Sequence, residues 1–435
     1  MNTNAKNNPA HMIGFWRGWS IAVGCTIGSG IFMMPTLLAP FGILGLIGWL
    51  TAGLGTVFVA LSLSRLVKRI PKLGGPYAYV QAGLGDFAGF LIAWTYWIAC
   101  VTALSGIAMA FVGYLSFFYP IVNESRSLSL LIALALVWLV IGINIRSVEG
   151  SIRLQVITTI LKIIPLLLLI VLGLANAQPE LLPPLNPTEL HPFTVIATAT
   201  TLVMWSFTGI ETAAVPTENM AEPEKTIPRV LIASVLTVLV IYFLVSLAIA
   251  LVVPADELIG STAPFALAAS KLMGPVGGAI ISIGALISTL GSLNANALVA
   301  GQVPLAAARD GLMPKRFLTL SRSGTPVFCF LISGVFASIL LMLNLDKGLV
   351  SAFTFIITLS TLSTLLAYAF SAVSEFYFLK NDKAGVERTR AIVLSSAAFI
   401  YTFFAIWGAG TEVVFYSFIL ILIGLPVYAL IRTEQ

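Results

Sequence analysis

Long, almost uninterrupted apolar segments recur along this chain, and they limit its fold more strongly than any other feature. Many exceed the roughly 20 residues that an α-helix needs to cross a bilayer. Hydrophobic residues make up 58% of the 435 residues and charged residues only 9%, whereas soluble domains carry about 25% charged residues. Membrane-spanning strands alternate in polarity and these segments do not, so we predict an all-α polytopic membrane protein.

The apolar segments divide into twelve predicted transmembrane spans. Their limits are 13–40, 42–67, 84–118, 128–145, 153–175, 193–219, 227–253, 275–308, 325–344, 349–379, 391–409 and 413–431. Together they form one predicted transmembrane domain over residues 13–431, which follows a short N-terminal tail over residues 1–12. The proline-rich stretch 176–192 is too polar to insert and is predicted to be an outer loop.

The basic residues indicate how the spans are oriented. Of the 23 lysines and arginines, nineteen fall on one side of a twelve-span chain, and only Arg126, Lys271 and Lys347 fall on the other. Lys162 lies inside span 5. Because cytoplasmic loops are rich in Lys and Arg, we predict a multi-pass protein of the plasma (inner) membrane with both termini in the cytoplasm. This topology explains the net charge of +5, and no nucleic-acid partner is expected.

Two spans contain glycine and small polar residues at mid-membrane depth. Span 1 carries Gly28, Ser29 and Gly30, and span 6 carries Thr208 and Gly209. Spans 1 and 6 each open a set of five, and interrupted helices at matching positions of two halves point to a transporter binding site. The alternative interpretation is that these small residues only allow close helix packing.

An interrupted membrane helix has a defined chemistry. Its freed N–H groups and helix dipole suit a carboxylate, and its freed carbonyls suit an ammonium group. An amino acid carries both charges a short distance apart, so we predict an alternating-access transporter of amino acids or related amines. An ion channel is the alternative from another class, although channels usually show symmetric pore loops or charge rings. No phosphate loop, metal-ligand cluster or nucleophile–base pair is recognised, so neither enzyme activity nor a cofactor is expected.

Four motifs resemble those of the amino acid–polyamine–organocation superfamily. They are Ile27–Phe32 (IGSGIF), Gly74–Tyr79 (GGPYAY), Trp205–Glu211 (WSFTGIE) and Ala306–Pro314 (AAARDGLMP). The motif in span 6 is similar to that of the basic amino acid and polyamine antiporters. The resemblance implies the five-plus-five inverted repeat often called LeuT-type, with helices 1 and 6 broken. The implied segments are repeat one over 13–175, repeat two over 193–379 and two extra helices over 391–431.

The resemblance also implies the residues of the site. The backbone around Ser29 and Gly30 would take the substrate carboxylate, and the Trp205 ring would close over the substrate as a gate. The carbonyls of Thr26, Trp205 and Thr208 would take the ammonium group. The full substrate-binding set is Thr26, Ile27, Gly28, Ser29, Gly30, Trp205, Thr208, Gly209, Tyr96, Cys100 and Asn296. Tyr96 and Cys100 have helical spacing within span 3, and core packing is the alternative reading for both.

Two positions depart from the arginine/agmatine antiporters of the basic branch. Asn296 stands where those proteins have a tryptophan that stacks on the guanidinium group, and Leu104 stands where they have a polar amide. The segment Gly291–Asn294 (GSLN) is similar to the L-type exchangers, which favour neutral amino acids. We therefore expect exchange or proton-coupled transport of neutral amino acids, with a basic amino acid or polyamine antiporter as the alternative.

Lys162 in span 5 is a third departure. It matches a lysine of proton-coupled and L-type relatives, at a place where sodium-coupled members of the fold hold a cation. An ionisable side chain at this depth marks function more often than packing. Its ammonium group is expected to replace the ion and to donate to span 1 carbonyls and to Ser288 or Ser292, so sodium dependence is not expected. Glu211 in span 6 is the predicted proton-sensitive acid, and whether Lys162 also releases a proton stays open.

The remaining polar residues are interpreted more simply. Asp86 and Glu375 lie near predicted cytoplasmic ends, where solvated side chains are expected. Cys25, Cys100 and Cys329 lie inside apolar segments, where packing is the default reading. The expected partners are the substrate, the lipid bilayer and, if transport is proton-coupled, protons; a homodimer is left open.

Overall fold

The computed structural model describes residues 14–70, 75–146, 148–209, 223–322, 324–380, 382 and 384–434. These residues form α-helices joined by short loops and 3₁₀ turns. The α-helices are Phe15–Thr26 (α1), Gly30–Leu38 (α2), Gly42–Arg69 (α3), Pro76–Leu84 (α4), Asp86–Leu115 (α5), Ile121–Glu124 (α6), Arg126–Arg146 (α7), Val148–Ala175 (α8), Pro192–Met204 (α9), Pro223–Ala250 (α10), Ala255–Leu258 (α11), Pro264–Arg309 (α12), Val327–Leu343 (α13), Leu349–Leu379 (α14), Val386–Gly408 (α15) and Thr411–Glu434 (α16).

The helices follow the predicted crossing pattern. Span 1 is divided between α1 and α2, span 6 begins with α9, and the other ten spans each contain one long helix. Among the described residues, eight helices are long and apolar enough to cross a bilayer, and three shorter apolar helices accompany them. The prediction of an all-α polytopic membrane fold with helices 1 and 6 broken is confirmed.

Helix α5 is the centre of the bundle. It packs against α12 and α14, and α12 in turn packs against α8. Helices α3, α9 and α10 form a second packed group, which also holds α1. The outer faces of α15 and α16 expose large apolar side chains such as Trp407 and Phe418. An apolar surface of this extent is stable only against lipid or protein, because contact of so much apolar area with water is unfavourable.

Helix α4 is an element that the sequence did not predict, since all of it except Leu84 lies between predicted spans 2 and 3. Pro76 occupies its first turn, where the missing N–H costs nothing. Tyr77 is buried and donates a hydrogen bond to a carboxylate oxygen of Asp310 at 3.1 Å. Burial raises the pKa of Tyr77, so the hydroxyl stays protonated and can donate. This contact fixes α4 against the end of α12.

The environment of Glu375 in α14 contradicts the expectation of a solvated carboxylate. Its side chain is 0% exposed and pairs with Arg65 of α3. It also accepts hydrogen bonds from Ser62, at 2.9 Å, and from Ser395 of α15. A buried carboxylate is tolerated when an opposite charge and hydrogen bonds replace its hydration. Two other helices, α3 and α15, supply these partners, and their meeting with α14 cannot be read from the sequence around Glu375.

We expect Glu375→Ala to lower stability far more than Asp382→Ala. Asp382 pairs with Arg69, one turn beyond Arg65 on α3, but this second pair is 27% and 34% exposed. Glu375→Ala takes away the acceptor of the buried Ser62 and Ser395 hydroxyls, at about 1–3 kcal/mol for each unsatisfied buried group, whereas an exposed pair contributes at most about 1 kcal/mol. Thermal unfolding of the two variants in detergent measures the difference. Equal losses would show that burial of Glu375 adds nothing.

Two ion pairs accompany the predicted outer basic residues. Lys271 lies 2.8 Å from Glu257, and Lys347 lies 3.5 Å from Glu412. Each outer lysine is therefore partly neutralised by a neighbouring carboxylate, which strengthens the charge asymmetry between the two sides. The expected orientation still requires a direct test.

Cysteine labelling provides that test. Asn186 is predicted to face the outside and Lys380, which follows α14, the cytoplasm. Single cysteines at these positions, in a background without native cysteines, should behave oppositely. Asn186→Cys should react with a membrane-impermeant thiol reagent on intact cells, and Lys380→Cys only after permeabilisation. Labelling of both from the same side would contradict the topology.

Candidate substrate-binding site

The break in span 1 lies between α1 and α2. Helix α1 ends at Thr26, Ile27 is extended with φ −69° and ψ 102°, and α2 begins at Gly30. The first N–H groups of α2 have no acceptor within their own helix, and they carry the positive end of its dipole. The segment therefore offers an anion-binding start at Ser29 and Gly30, as the sequence suggested.

The break in span 6 follows α9. A 3₁₀ turn covers Trp205–Phe207, and Thr208 is extended with φ −62° and ψ 145°. Gly209 has φ +96°, a conformation that side chains other than glycine rarely adopt. This glycine therefore ends the helical path. Glu211, the predicted proton-sensitive acid, lies outside the described residues.

The two breaks are in direct contact. A Cβ atom placed on Gly30 would lie 2.7 Å from the Ser206 hydroxyl oxygen and 3.0 Å from the Ser206 Cα atom. Only a residue without a side chain lets the start of α2 approach the 3₁₀ turn this closely. Gly30 thus allows the two interrupted helices to lie in contact at the level of the predicted site.

Helix α12 presents polar residues to this junction at four-residue spacing. A Cβ atom on Gly28 would lie 3.0 Å from the Ser292 hydroxyl oxygen. Ser288 is one turn before Ser292, and Asn296 is one turn after it, so the three side chains share one stripe of the helix. Within the described residues, the Ser288 hydroxyl and the Asn296 amide oxygen are buried and have no hydrogen-bond partner. The predicted span 8 residues are therefore gathered beside the span 1 break.

Lys162 is buried in α8 and is 2% exposed. A Cβ atom on Gly284 of α12 would lie 2.7 Å from the ring of Pro165, which fixes the register of the two helices. The predicted twelve-span topology makes α8 and α12 antiparallel, which would place Lys162 level with Ser288 to within about one residue. Helix α8 also contacts α1. The grouping of Lys162 with Ser288 and span 1 stays a prediction, and Ser288 makes no hydrogen bond within the described residues.

Two of the predicted ammonium-binding carbonyls already accept hydrogen bonds from the protein. The Trp205 carbonyl accepts from the Thr208 hydroxyl at 2.7 Å and from the Thr208 N–H at 3.2 Å. The Thr26 carbonyl accepts from the Tyr242 hydroxyl at 3.1 Å. A substrate ammonium must share the remaining lone pair of Thr26 or displace the threonine donors from Trp205. Tyr242 was not among the residues that the sequence singled out.

The Trp205 ring is buried at the junction of three helices. It meets the Phe353 ring of α14 edge to face, with 5.6 Å between centroids, and it lies beside Gly106 of α5. About two and three turns earlier on α5, Cys100 is buried and Tyr96 is half-buried. Leu104 is fully buried on the same helix. This arrangement places a large ring next to the break, as a gate requires, and its movement remains a prediction.

Comparison with known proteins places the chain in a family. The sequence model of the amino acid permease family matches residues 13–424. A protein of Bacillus subtilis (strain 168), described as a candidate arginine/ornithine antiporter, is 30% identical over 431 residues, with coverage of 90% of this chain and 91% of the relative. The putrescine transporter PotE of Escherichia coli (strain K12) is 28% identical, with coverage of 93% and 92%.

A third relative is the arginine/ornithine antiporter of Pseudomonas aeruginosa, 27% identical over 437 residues, with coverage of 95% of this chain and 90% of the relative. All three relatives are named as transporters, which agrees with the absence of expected enzyme chemistry. The substrates in the names of these relatives are arginine, ornithine and putrescine. The broken helices, the bilayer-sized apolar segments and the match over residues 13–424 together show that this chain belongs to the amino acid permease family, within the amino acid–polyamine–organocation superfamily, and is an integral membrane transporter.

Proposed function

We propose that this protein is an antiporter that exchanges basic amino acids and polyamines across the plasma membrane by alternating access. The common part of an amino acid would be held between the two breaks, with its carboxylate at the N–H groups of Ser29 and Gly30. Its ammonium group would use the carbonyls of Thr26 and Thr208. A diamine would use the carbonyl positions alone.

The proposed preference for basic substrates rests on the buried amide oxygen of Asn296. It has no hydrogen-bond partner among the described residues, and it lies on the α12 stripe that reaches the span 1 break. A guanidinium or terminal ammonium group carries only donors, so it complements this free acceptor. An apolar substrate side chain would leave the acceptor unsatisfied, at a cost of about 1–3 kcal/mol. The relatives named above transport arginine, ornithine or putrescine, which supports the same choice.

Leu104 favours the second candidate, exchange of neutral amino acids. It is a fully buried apolar side chain on the helix that carries Tyr96 and Cys100, and it offers no polar contact to a cationic substrate. The two candidates differ in which substrate side chains should be accepted, so a single transport assay separates them.

The assay is uptake of labelled arginine into proteoliposomes loaded with ornithine, putrescine, leucine or no substrate. We expect internal ornithine or putrescine to stimulate arginine uptake strongly over empty vesicles, because an antiporter returns across the membrane only with a bound substrate. Leucine, alanine and methionine should compete poorly from outside. Preferred uptake of the neutral amino acids would overturn the proposal, and uptake that does not saturate would indicate a channel.

Asn296→Leu tests whether the Asn296 amide oxygen selects basic substrates. It keeps the approximate size of the side chain but removes the acceptor, so basic uptake should fall while uptake of leucine holds or rises. Ser282→Ala is the matched control, because Ser282 is another buried and unpartnered polar residue of α12, about four turns from Asn296. It should leave substrate preference unchanged. An added protonophore reports, in the same vesicles, whether exchange is coupled to protons.

A further inference from the structure

Tyr242 of α10 reaches the span 1 break from a helix that the site described above does not include. Its side chain is fully buried. Its hydroxyl donates to the Thr26 carbonyl at 3.1 Å. One side chain of α10 thus contacts the end of α1, where the break begins.

The Thr26 carbonyl is a group that the break itself leaves without a helical partner. Thr26 is the last residue of α1, and Ile27 after it is extended. An unpaired buried carbonyl is costly in a protein interior, and most costly where lipid rather than water surrounds the bundle. The Tyr242 hydroxyl satisfies this carbonyl, so it stabilises the interrupted conformation against a continuous helix.

The ring of Tyr242 connects the same point to span 6. It lies 5.2 Å from the Trp49 ring of α3 and 6.1 Å from the Phe207 ring, and Trp49 and Phe207 lie 6.0 Å apart. All three rings are fully buried. Phe207 belongs to the 3₁₀ turn that breaks span 6, so the hydroxyl end of Tyr242 holds one break while its ring packs against the other.

We propose that Tyr242 is a positioning residue, which fixes the spacing of the two broken helices and thereby the geometry that recognises the substrate. The inference rests on the proposed use of these breaks for substrate binding, and not on which substrate is bound. It assigns a role to α10 that the sequence motifs of spans 1 and 6 do not reveal. The hydroxyl acts through the backbone of span 1 and does not itself have to touch the substrate.

The test is Tyr242→Phe, which keeps the ring and removes only the hydroxyl. Tyr114→Phe is the matched control. Tyr114 is also fully buried, and its hydroxyl donates to the carbonyl of Phe32, in the continuous part of α2, at 2.7 Å and accepts from the Phe265 N–H at 3.3 Å. Both variants lose one buried hydroxyl bonded to a span 1 carbonyl, but only Tyr242 contacts the break.

Exchange is measured in proteoliposomes with whichever substrate the wild type exchanges best. Tyr242→Phe should raise KM roughly tenfold, as the loss of about 1.4 kcal/mol of binding energy does, with the maximal rate changed less than about threefold. Tyr114→Phe should lower thermal stability to a similar extent and leave KM unchanged. Equal KM values in wild type and Tyr242→Phe would overturn the inference.

A second variant distinguishes the effect of losing the Tyr242 hydroxyl from the effect of loosening its ring packing. Trp49→Phe loosens the aromatic cluster but keeps the Tyr242 hydrogen bond, so it should lower stability with a smaller effect on KM than Tyr242→Phe. A larger KM effect in Trp49→Phe would place the positioning role in the rings and contradict the inference. If the wild type prefers neutral amino acids, the proposed substrate fails, while the KM comparison with that substrate still decides the role of Tyr242.

Discussion

Lys162→Ala is expected to abolish transport while the protein still inserts and folds. Lys162 is buried on a helix that packs against α12 and contacts α1. A charge enclosed in this way must be compensated by oxygen atoms of the protein. Removing one member of a buried charged network costs about 3–5 kcal/mol, which corresponds to a loss of roughly a hundredfold or more in rate if the cost falls on the transport cycle. Membrane insertion should not suffer, because a neutral residue enters the bilayer more easily.

The measurement is uptake into proteoliposomes, with and without sodium and with and without an inward proton gradient. Wild type should be active without sodium, because the ammonium group takes the place of a coupling cation. Lys162→Met keeps the length of the side chain without its charge and should fail like alanine. Lys347→Ala, at an exposed lysine paired with Glu412, is the control and should transport normally. Full activity of Lys162→Ala, or an absolute need for sodium in wild type, would falsify the prediction.

Gly30→Ala is expected to lower transport by at least roughly tenfold. Its new Cβ atom would lie 2.7 Å from the hydroxyl oxygen and 3.0 Å from the Cα atom of Ser206. The hydroxyl could rotate away, but the backbone Cα atom cannot move without displacing the span 6 break. Overpacking of this kind costs about 1–3 kcal/mol, and here it would separate the two backbone segments that the substrate is proposed to join.

Two further variants make the Gly30 prediction specific. Gly142→Ala in α7 is the control, because a Cβ atom there meets nothing within 4 Å. Alanine favours helix over glycine by about 1 kcal/mol, so this variant should be at least as stable as wild type and fully active. Adding Ser206→Gly to Gly30→Ala removes the Cβ and hydroxyl atoms from the clash and should restore part of the activity. Unchanged transport in Gly30→Ala would show that the two breaks need not touch.

The crossing helices and both breaks could be predicted from the sequence, because their causes are local. A run of about 20 apolar residues is enough to favour a membrane helix, and the glycines of IGSGIF weaken a helix wherever it is placed. The isolated charge of Lys162 was visible for the same reason: a lysine within a long apolar segment has few ways to reach water.

Other features depended on which helices meet. Glu375 was predicted to be solvated, yet it is buried because Arg65 and Ser395 arrive from α3 and α15. Helix α4 was not predicted, because nothing near Tyr77 in the sequence indicates that Asp310 accepts its hydrogen bond.

By itself, the sequence determined that the chain is a helical membrane protein, where two helices break and where a lysine is buried, since hydropathy and glycine content act over one helix. Only the tertiary structure decided what each break touches. Gly30 meets Ser206 across 176 positions of the chain, and Tyr242 meets Thr26 across 216. Such pairs depend on which faces of two distant helices contact each other. In a bilayer, close packing and the satisfaction of buried polar groups determine these contacts. No single apolar segment encodes them.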